Sequence, residues 1–144
     1  MTAPLVLAVT YTGLHDRLTA AGYRPIAWPT NDAEWRHVES LAPEIVAVIT
    51  IGIWPLTGAF MAAAKKLRLI SCLGAGYDTY DPAALAQRGI KLVNSAGVNA
   101  HDVSELAFGL FIAARRQIVE ADKWVRDGTW PQRPAYTHRI HGTR

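Results

Sequence analysis

The chain has 144 residues, of which 50% are hydrophobic and 19% are charged. This composition predicts a folded domain with a sizeable core and excludes an intrinsically disordered chain. The net charge of +3 is small, and the lysines and arginines of the chain are scattered along the sequence. We therefore expect no nucleic-acid partner. The exception is a basic tail, which we interpret as a solvated terminus: Arg133, His138, Arg139, His141 and Arg144.

Cys72 is the only cysteine, which excludes a disulfide framework and fits a reducing cytoplasm. Because it lies within an apolar run, we expect a buried, inert thiol and not a nucleophile. The apolar residues 5–9 follow no basic segment and are too few for a signal-peptide core or a membrane span. We therefore predict a cytoplasmic protein without a membrane partner.

Short apolar runs alternate with amphipathic stretches along the first two thirds of the chain. Pro25 places the second predicted strand at a sheet edge, because proline cannot donate to a strand ladder. Five strands separated by helices predict an α/β fold, with a parallel five-stranded sheet and flanking helices. The predicted strands are 5–10, 23–28, 45–51, 67–73 and 90–94. The predicted helices are 13–21, a stretch through Trp35 to Leu41, 57–66, and a short one from Asp81 to Gly89.

From Asn99 to Gly128, apolar residues recur at helical spacing without a break, which predicts one long helix over residues 100–127. We expect this helix to lie across a second domain or a second subunit. Gly109 in its middle costs about 1 kcal/mol relative to alanine, so close approach of another backbone is expected there. One face should be apolar enough to cause self-association of the chain alone, and it carries Leu106, Leu110, Ile118 and Val125.

The segment Gly74-Ala75-Gly76-Tyr77-Asp78 follows a predicted strand directly. It is not a pyrophosphate cradle, because Thr79 stands where a third glycine is needed and no helix begins at once. Two interpretations stay open from the spacing. The glycines could bring backbone N–H groups to a small anion such as a carboxylate, or the segment could be a plain turn between strand and helix.

Several segments, in order, resemble the D-isomer-specific 2-hydroxyacid dehydrogenase family. The resemblance is strong and collinear from Val46 to Arg144 and weak before that. It implies a flavodoxin-like substrate-binding domain over residues 1–98. Residues 99–144 would be a long interdomain and dimerisation helix with the lead-in to a nicotinamide-binding Rossmann domain. The segments that carry the resemblance are 67–78, 87–94, 97–100, 103–107, 110–116 and 125–130.

The resemblance implies an oxidoreductase that transfers a hydride between NAD(H) or NADP(H) and a small 2-oxo acid or D-2-hydroxy acid, of the glyoxylate or hydroxypyruvate type. A homodimer is implied as well. By the same resemblance, the loop of Gly74, Ala75 and Gly76 would bind the substrate carboxylate through backbone N–H groups. Val103 would lie close to the nicotinamide.

The arginine, the acid and the histidine that act in catalysis in this family would follow position 144. The five histidines of the chain do not occupy matching positions, so we assign no catalytic residue, and no metal ligand. The chain alone is expected to be inactive. The alternative is a non-catalytic module that binds a carboxylate or dimerises.

Overall fold

The computed structural model describes residues 2–132. Contacts between Cα atoms divide the chain into two compact units, residues 1–98 and residues 99–144. Substrate binding by the first part, and interdomain contact and dimerisation by the second, stay predictions. The basic tail predicted to be a solvated terminus lies outside the described residues.

The first unit is built on a parallel sheet of five strands in the order β2-β1-β3-β4-β5. This is the flavodoxin-like strand order, in which the direction of winding reverses between β1 and β3. It confirms the predicted fold class. The strands are β1 (Leu5–Ala8), β2 (Arg24–Ala27), β3 (Ile45–Thr50), β4 (Leu69–Cys72) and β5 (Lys91–Asn94).

Side chains at the helix starts fix where several helices of this unit begin. Asn31 Oδ1 accepts from the N–H of Glu34, and Asp81 Oδ1 accepts from the N–H groups of Ala83 and Ala84. These bonds satisfy donors that a helix start leaves without partners. The helices are α1 (Leu14–Ala20), α2 (Asp32–Leu41), α3 (Gly58–Ala63) and α4 (Pro82–Gln87). A short 3₁₀ turn, Ala42–Glu44, precedes β3.

The core lies around the central strands. All four residues of β1 are buried, as are Ile45, Val48 and Thr50 of β3. β2, with Pro25, lies at the sheet edge, as its proline predicts. Cys72 is 1% exposed and belongs to the core cluster. Burial raises the pKa of its thiol, which keeps the thiol neutral.

The predicted single helix over residues 100–127 is wrong. The second unit instead has α5 (Ala100–Arg115) and α6 (Ile118–Arg126), and Gln117 between them has a left-handed φ of 50°. A left-handed residue cannot continue a right-handed helix, and the N–H of Gln117 accordingly bonds the carbonyl of Ala114, one residue short of the helical partner. A 3₁₀ turn, Trp130–Gln132, follows.

A Cβ atom built on Gly109 meets nothing within 4 Å among the described residues, so the approach of another backbone expected there stays a prediction. α5 and α6, both described in full, contain no buried residue. Leu110, for example, is 59% exposed. Among the described helices, none combines the length and the apolar character that crossing a bilayer would need.

Candidate functional site

The loop after β4 touches the end of β3 backbone to backbone. Gly52, just after β3, is buried, and a Cβ atom built on it would lie only 1.7 Å from the carbonyl oxygen of Gly76. No side chain fits in that space, so this approach requires glycine at position 52. Sequence reasoning missed this requirement, because Gly52 looks like any glycine that closes a strand.

Three hydrogen bonds from Thr79 and Tyr80 also hold the segment after this loop against residues 52–54. The Thr79 hydroxyl and backbone N–H both donate to the carbonyl of Gly52, at 2.9 and 3.3 Å. The Tyr80 hydroxyl donates to the carbonyl of Trp54 at 2.7 Å. Burial raises the pKa of the Tyr80 phenol, and a hydrogen bond with Thr50 opposes that shift. The phenol therefore stays a proton donor at neutral pH.

The carbonyls of Gly74 and Ala75 point toward the end of β5. The N–H of Ser95 donates to the carbonyl of Gly74 at 3.0 Å, and Asn94 Nδ2 donates to the carbonyl of Ala75 at 2.6 Å. In a planar trans peptide the N–H points opposite to the C=O. The N–H groups of Ala75 and Gly76 therefore point away from β5, and neither has an acceptor among residues 2–132.

The loop does not form a pyrophosphate cradle, since α4 begins only at Pro82, after residues 77–81. The cradle needs a helix N-terminus directly behind the glycines. The described residues of this loop therefore offer two N–H donors suited to a small anion and no dinucleotide site. The Asp78 carboxylate lies beside the loop, with Oδ2 2.9 Å from where a Cβ atom of Gly76 would be.

A cavity of about 380 Å³ lies next to this loop and includes Gly74 in its wall. It lies at the carboxyl ends of β1 and β3, where the strand order reverses and where ligands bind in open α/β sheets. Sequence reasoning missed this cavity. The available signal was that large apolar residues directly follow several strands. The wall includes Tyr11, Trp28, Ile51, Trp54, Leu73 and Gly74.

Val103, predicted to lie near the nicotinamide, is in the first turn of α5 and is 55% exposed. Its predicted role stays a prediction. Among the described residues, no three histidine, cysteine or acidic side chains lie close enough together to hold a metal ion.

Comparison with known proteins shows the family. The model of the D-isomer specific 2-hydroxyacid dehydrogenase catalytic domain matches residues 17–141. A glyoxylate reductase of Korarchaeum cryptofilum is 37% identical over 84 residues, which are 58% of this chain and 25% of that protein.

Solved structures share this fold. A 2-hydroxyacid dehydrogenase of Ketogulonicigenium vulgare is 30% identical, with a TM-score of 0.73 over 99% of this chain and 46% of its own. An NADPH-dependent glyoxylate/hydroxypyruvate reductase of Sinorhizobium meliloti, solved with NADP and malonate, is 23% identical, with a TM-score of 0.72 over 96% of this chain and 44% of its own. The chain thus spans less than half the length of these three relatives. With a family model that matches residues 17–141 and a fold shared over 99% of the chain, this protein belongs to the D-isomer specific 2-hydroxyacid dehydrogenase family.

Proposed function

We propose that this chain is the substrate-binding part of an oxidoreductase that transfers a hydride between NADH or NADPH and a 2-oxo acid, forming a D-2-hydroxy acid. The observation that carries the proposal is the pair of N–H groups of Ala75 and Gly76, which have no acceptor within residues 2–132. Glyoxylate and hydroxypyruvate are the first candidate substrates, because the names of relatives specify them.

In this proposal the chain's own residues bind and orient the substrate. The carboxylate accepts from the N–H groups of Ala75 and Gly76, and Gly74 lets the backbone approach it. Asn94 and Ser95 hold the opposite ends of these peptides, so the donors are aimed before the substrate arrives. When bound, the nicotinamide supplies the hydride, and we propose that Val103 lies against it. We assign no acid or base to this chain.

The carboxylate site is tested by titrating glyoxylate into the ¹⁵N-labelled chain and following amide signals by NMR. We expect the signals of Ala75 and Gly76 to move together and to saturate. Asn94→Leu removes the bond to the Ala75 carbonyl, so the peptide can rotate. Binding should weaken by roughly two- to tenfold, the worth of one hydrogen bond.

Asn99→Leu is the matched control, because Asn99 makes no side-chain cap bond and lies in the second unit. It should leave the titration unchanged. If glyoxylate moves neither loop amide at any concentration, or if both variants behave alike, the carboxylate site is wrong.

We also propose a homodimer that uses α5 and α6, supported by the complete lack of buried residues on these helices. A cytoplasmic location is proposed on the free, buried Cys72.

A further inference from the structure

The cavity beside the carboxylate loop has an apolar wall. We propose that it receives the side chain of the substrate, so that the preferred substrate is a 2-oxo acid with an aromatic or branched aliphatic side chain. This inference rests on the proposed function, because it needs the carboxylate to be held at Ala75 and Gly76. It favours larger substrates than glyoxylate or hydroxypyruvate, whose substituents on the 2-oxo carbon are a hydrogen atom and a hydroxymethyl group.

Four of the exposed large apolar residues of the first unit lie around one cavity. Tyr11 is 70% exposed, and Ile51, Trp54 and Leu73 are exposed as well, although all are large and apolar. All four line this one cavity. A contiguous apolar surface of this kind is unusual on a soluble protein and marks a binding site. The volume of about 380 Å³ lies within the range of small-molecule pockets, roughly 300–1,000 Å³.

Two residues of the wall, Trp28 and Trp54, are held by contacts within the chain. The ring centroids of Trp28 and Trp54 are 5.7 Å apart, and Trp35 meets Trp28 edge-on at 5.6 Å. The Tyr80 hydroxyl holds the backbone of Trp54. These two side chains need little ordering when a ligand binds, so contact with them converts efficiently into affinity.

The wall of the cavity offers few polar partners to a ligand. None of the described residues that line the cavity is charged. One of its hydroxyls, that of Thr30, already donates to Glu34 Oε2 at 3.0 Å. A substrate hydroxyl that enters would lose water with few partners in return, whereas an apolar group loses nothing. In a hydrophobic pocket, one methylene changes selectivity by about 10- to 200-fold.

Gly74 joins the two parts of the site. It is in the wall of the cavity and it begins the loop whose next two N–H groups have no acceptor within residues 2–132. A molecule with a carboxylate at Ala75 and Gly76 can therefore place an adjoining side chain into the cavity.

D-Lactate and D-3-phenyllactate form the decisive pair of ligands, because they differ only by a phenyl group. Both are titrated into the 144-residue chain while NMR follows the loop amides and the indole N–H signals of Trp28 and Trp54. We expect both acids to move the amides of Ala75 and Gly76. Only D-3-phenyllactate should move the indole signals, and it should bind at least about tenfold more tightly.

Tyr11→Ser removes an exposed part of the wall without touching the core. It should weaken D-3-phenyllactate binding and leave D-lactate binding unchanged. Tyr23→Ser is the matched control, since Tyr23 is also exposed but does not line the cavity. Thr10→Trp fills the cavity from its rim and should exclude the phenyl group while D-lactate still binds.

The outcomes separate the two proposals. If both acids move the loop amides with equal affinity and the indole signals stay fixed, the carboxylate site stands and the side-chain inference is overturned. If D-3-phenyllactate moves the indole signals but neither acid moves the loop amides, the carboxylate site is wrong and the inference falls with it.

Discussion

Among the described glycines, Gly52 has the least room for a side chain. Gly52→Ala would place a methyl group 1.7 Å from the Gly76 carbonyl oxygen, so the loop or the strand must move. We expect a loss of about 1–3 kcal/mol or more in the free energy of unfolding, measured by urea denaturation. Gly58→Ala is the control, because a Cβ atom there meets nothing and no positive φ is needed. Equal stability of the two variants would show that the contact between Gly52 and the Gly76 carbonyl leaves room for a side chain.

Cys72 offers a test of burial and of its raised thiol pKa. In the native chain we expect very slow reaction with a thiol reagent at pH 8, and fast reaction once urea unfolds the chain. Because the folded pKa lies above the unfolded one, the neutral thiol contributes stability below the unfolded pKa. That contribution is lost as the pH rises through the folded pKa. Rapid labelling of the native chain would show that the thiol is accessible.

Single residues also show where sequence reasoning stops. Asp81 could be predicted as a helix cap, because its signal is local and Pro82 follows it directly. The need for glycine at position 52 could not be predicted, because it comes from a contact with Gly76, which is distant in the chain. The cavity could not be predicted for the same reason, because Tyr11, Trp28 and Trp54 come together only when the strands take their order in the sheet.

At the level of elements, the break at Gln117 separates α5 from α6. Gln117→Gly should stabilise the second unit by about 1 kcal/mol, because glycine adopts a positive φ without steric cost. Gln87→Gly, in the last turn of α4, is the matched control and should destabilise by about 0.5–1 kcal/mol. Thermal unfolding followed by circular dichroism measures both. Shifts of the same sign would count against the left-handed conformation at Gln117.

The five strands were predictable because each is a short apolar run bounded by turn residues. Their parallel order followed from the alternation with helices and from the family resemblance. The break in the long helix was not predictable from periodicity, since neither glycine nor proline stands at residues 115–118 and the apolar spacing continues across them. The neighbour expected at Gly109 stays a prediction. Periodicity shows that a helix face is apolar, but not what covers it.

At the scale of the whole molecule, the exposed apolar side chains of α5 and α6 predict self-association. We expect the 144-residue chain to form dimers or larger species at micromolar concentration, measured by light scattering. Leu110→Glu places a charge on this surface and should shift the chain toward monomer. Tyr23→Glu, at an exposed site in the first unit, should leave association unchanged. A clean monomer of the unmodified chain would refute this prediction.

The bond from Asn94 to the Ala75 carbonyl also ties the loop to the chemical ageing of the protein. Asn94 is only partly buried and is followed by Ser95, so spontaneous deamidation can convert its amide into a carboxylate. The new oxygen could not donate to the Ala75 carbonyl, and its negative charge would lie beside a loop proposed to attract an anion. Stored samples should therefore lose carboxylate binding in step with deamidation at this one position, which peptide mass mapping would follow. Asn94→Asp should reproduce the negative charge of the aged state without storage.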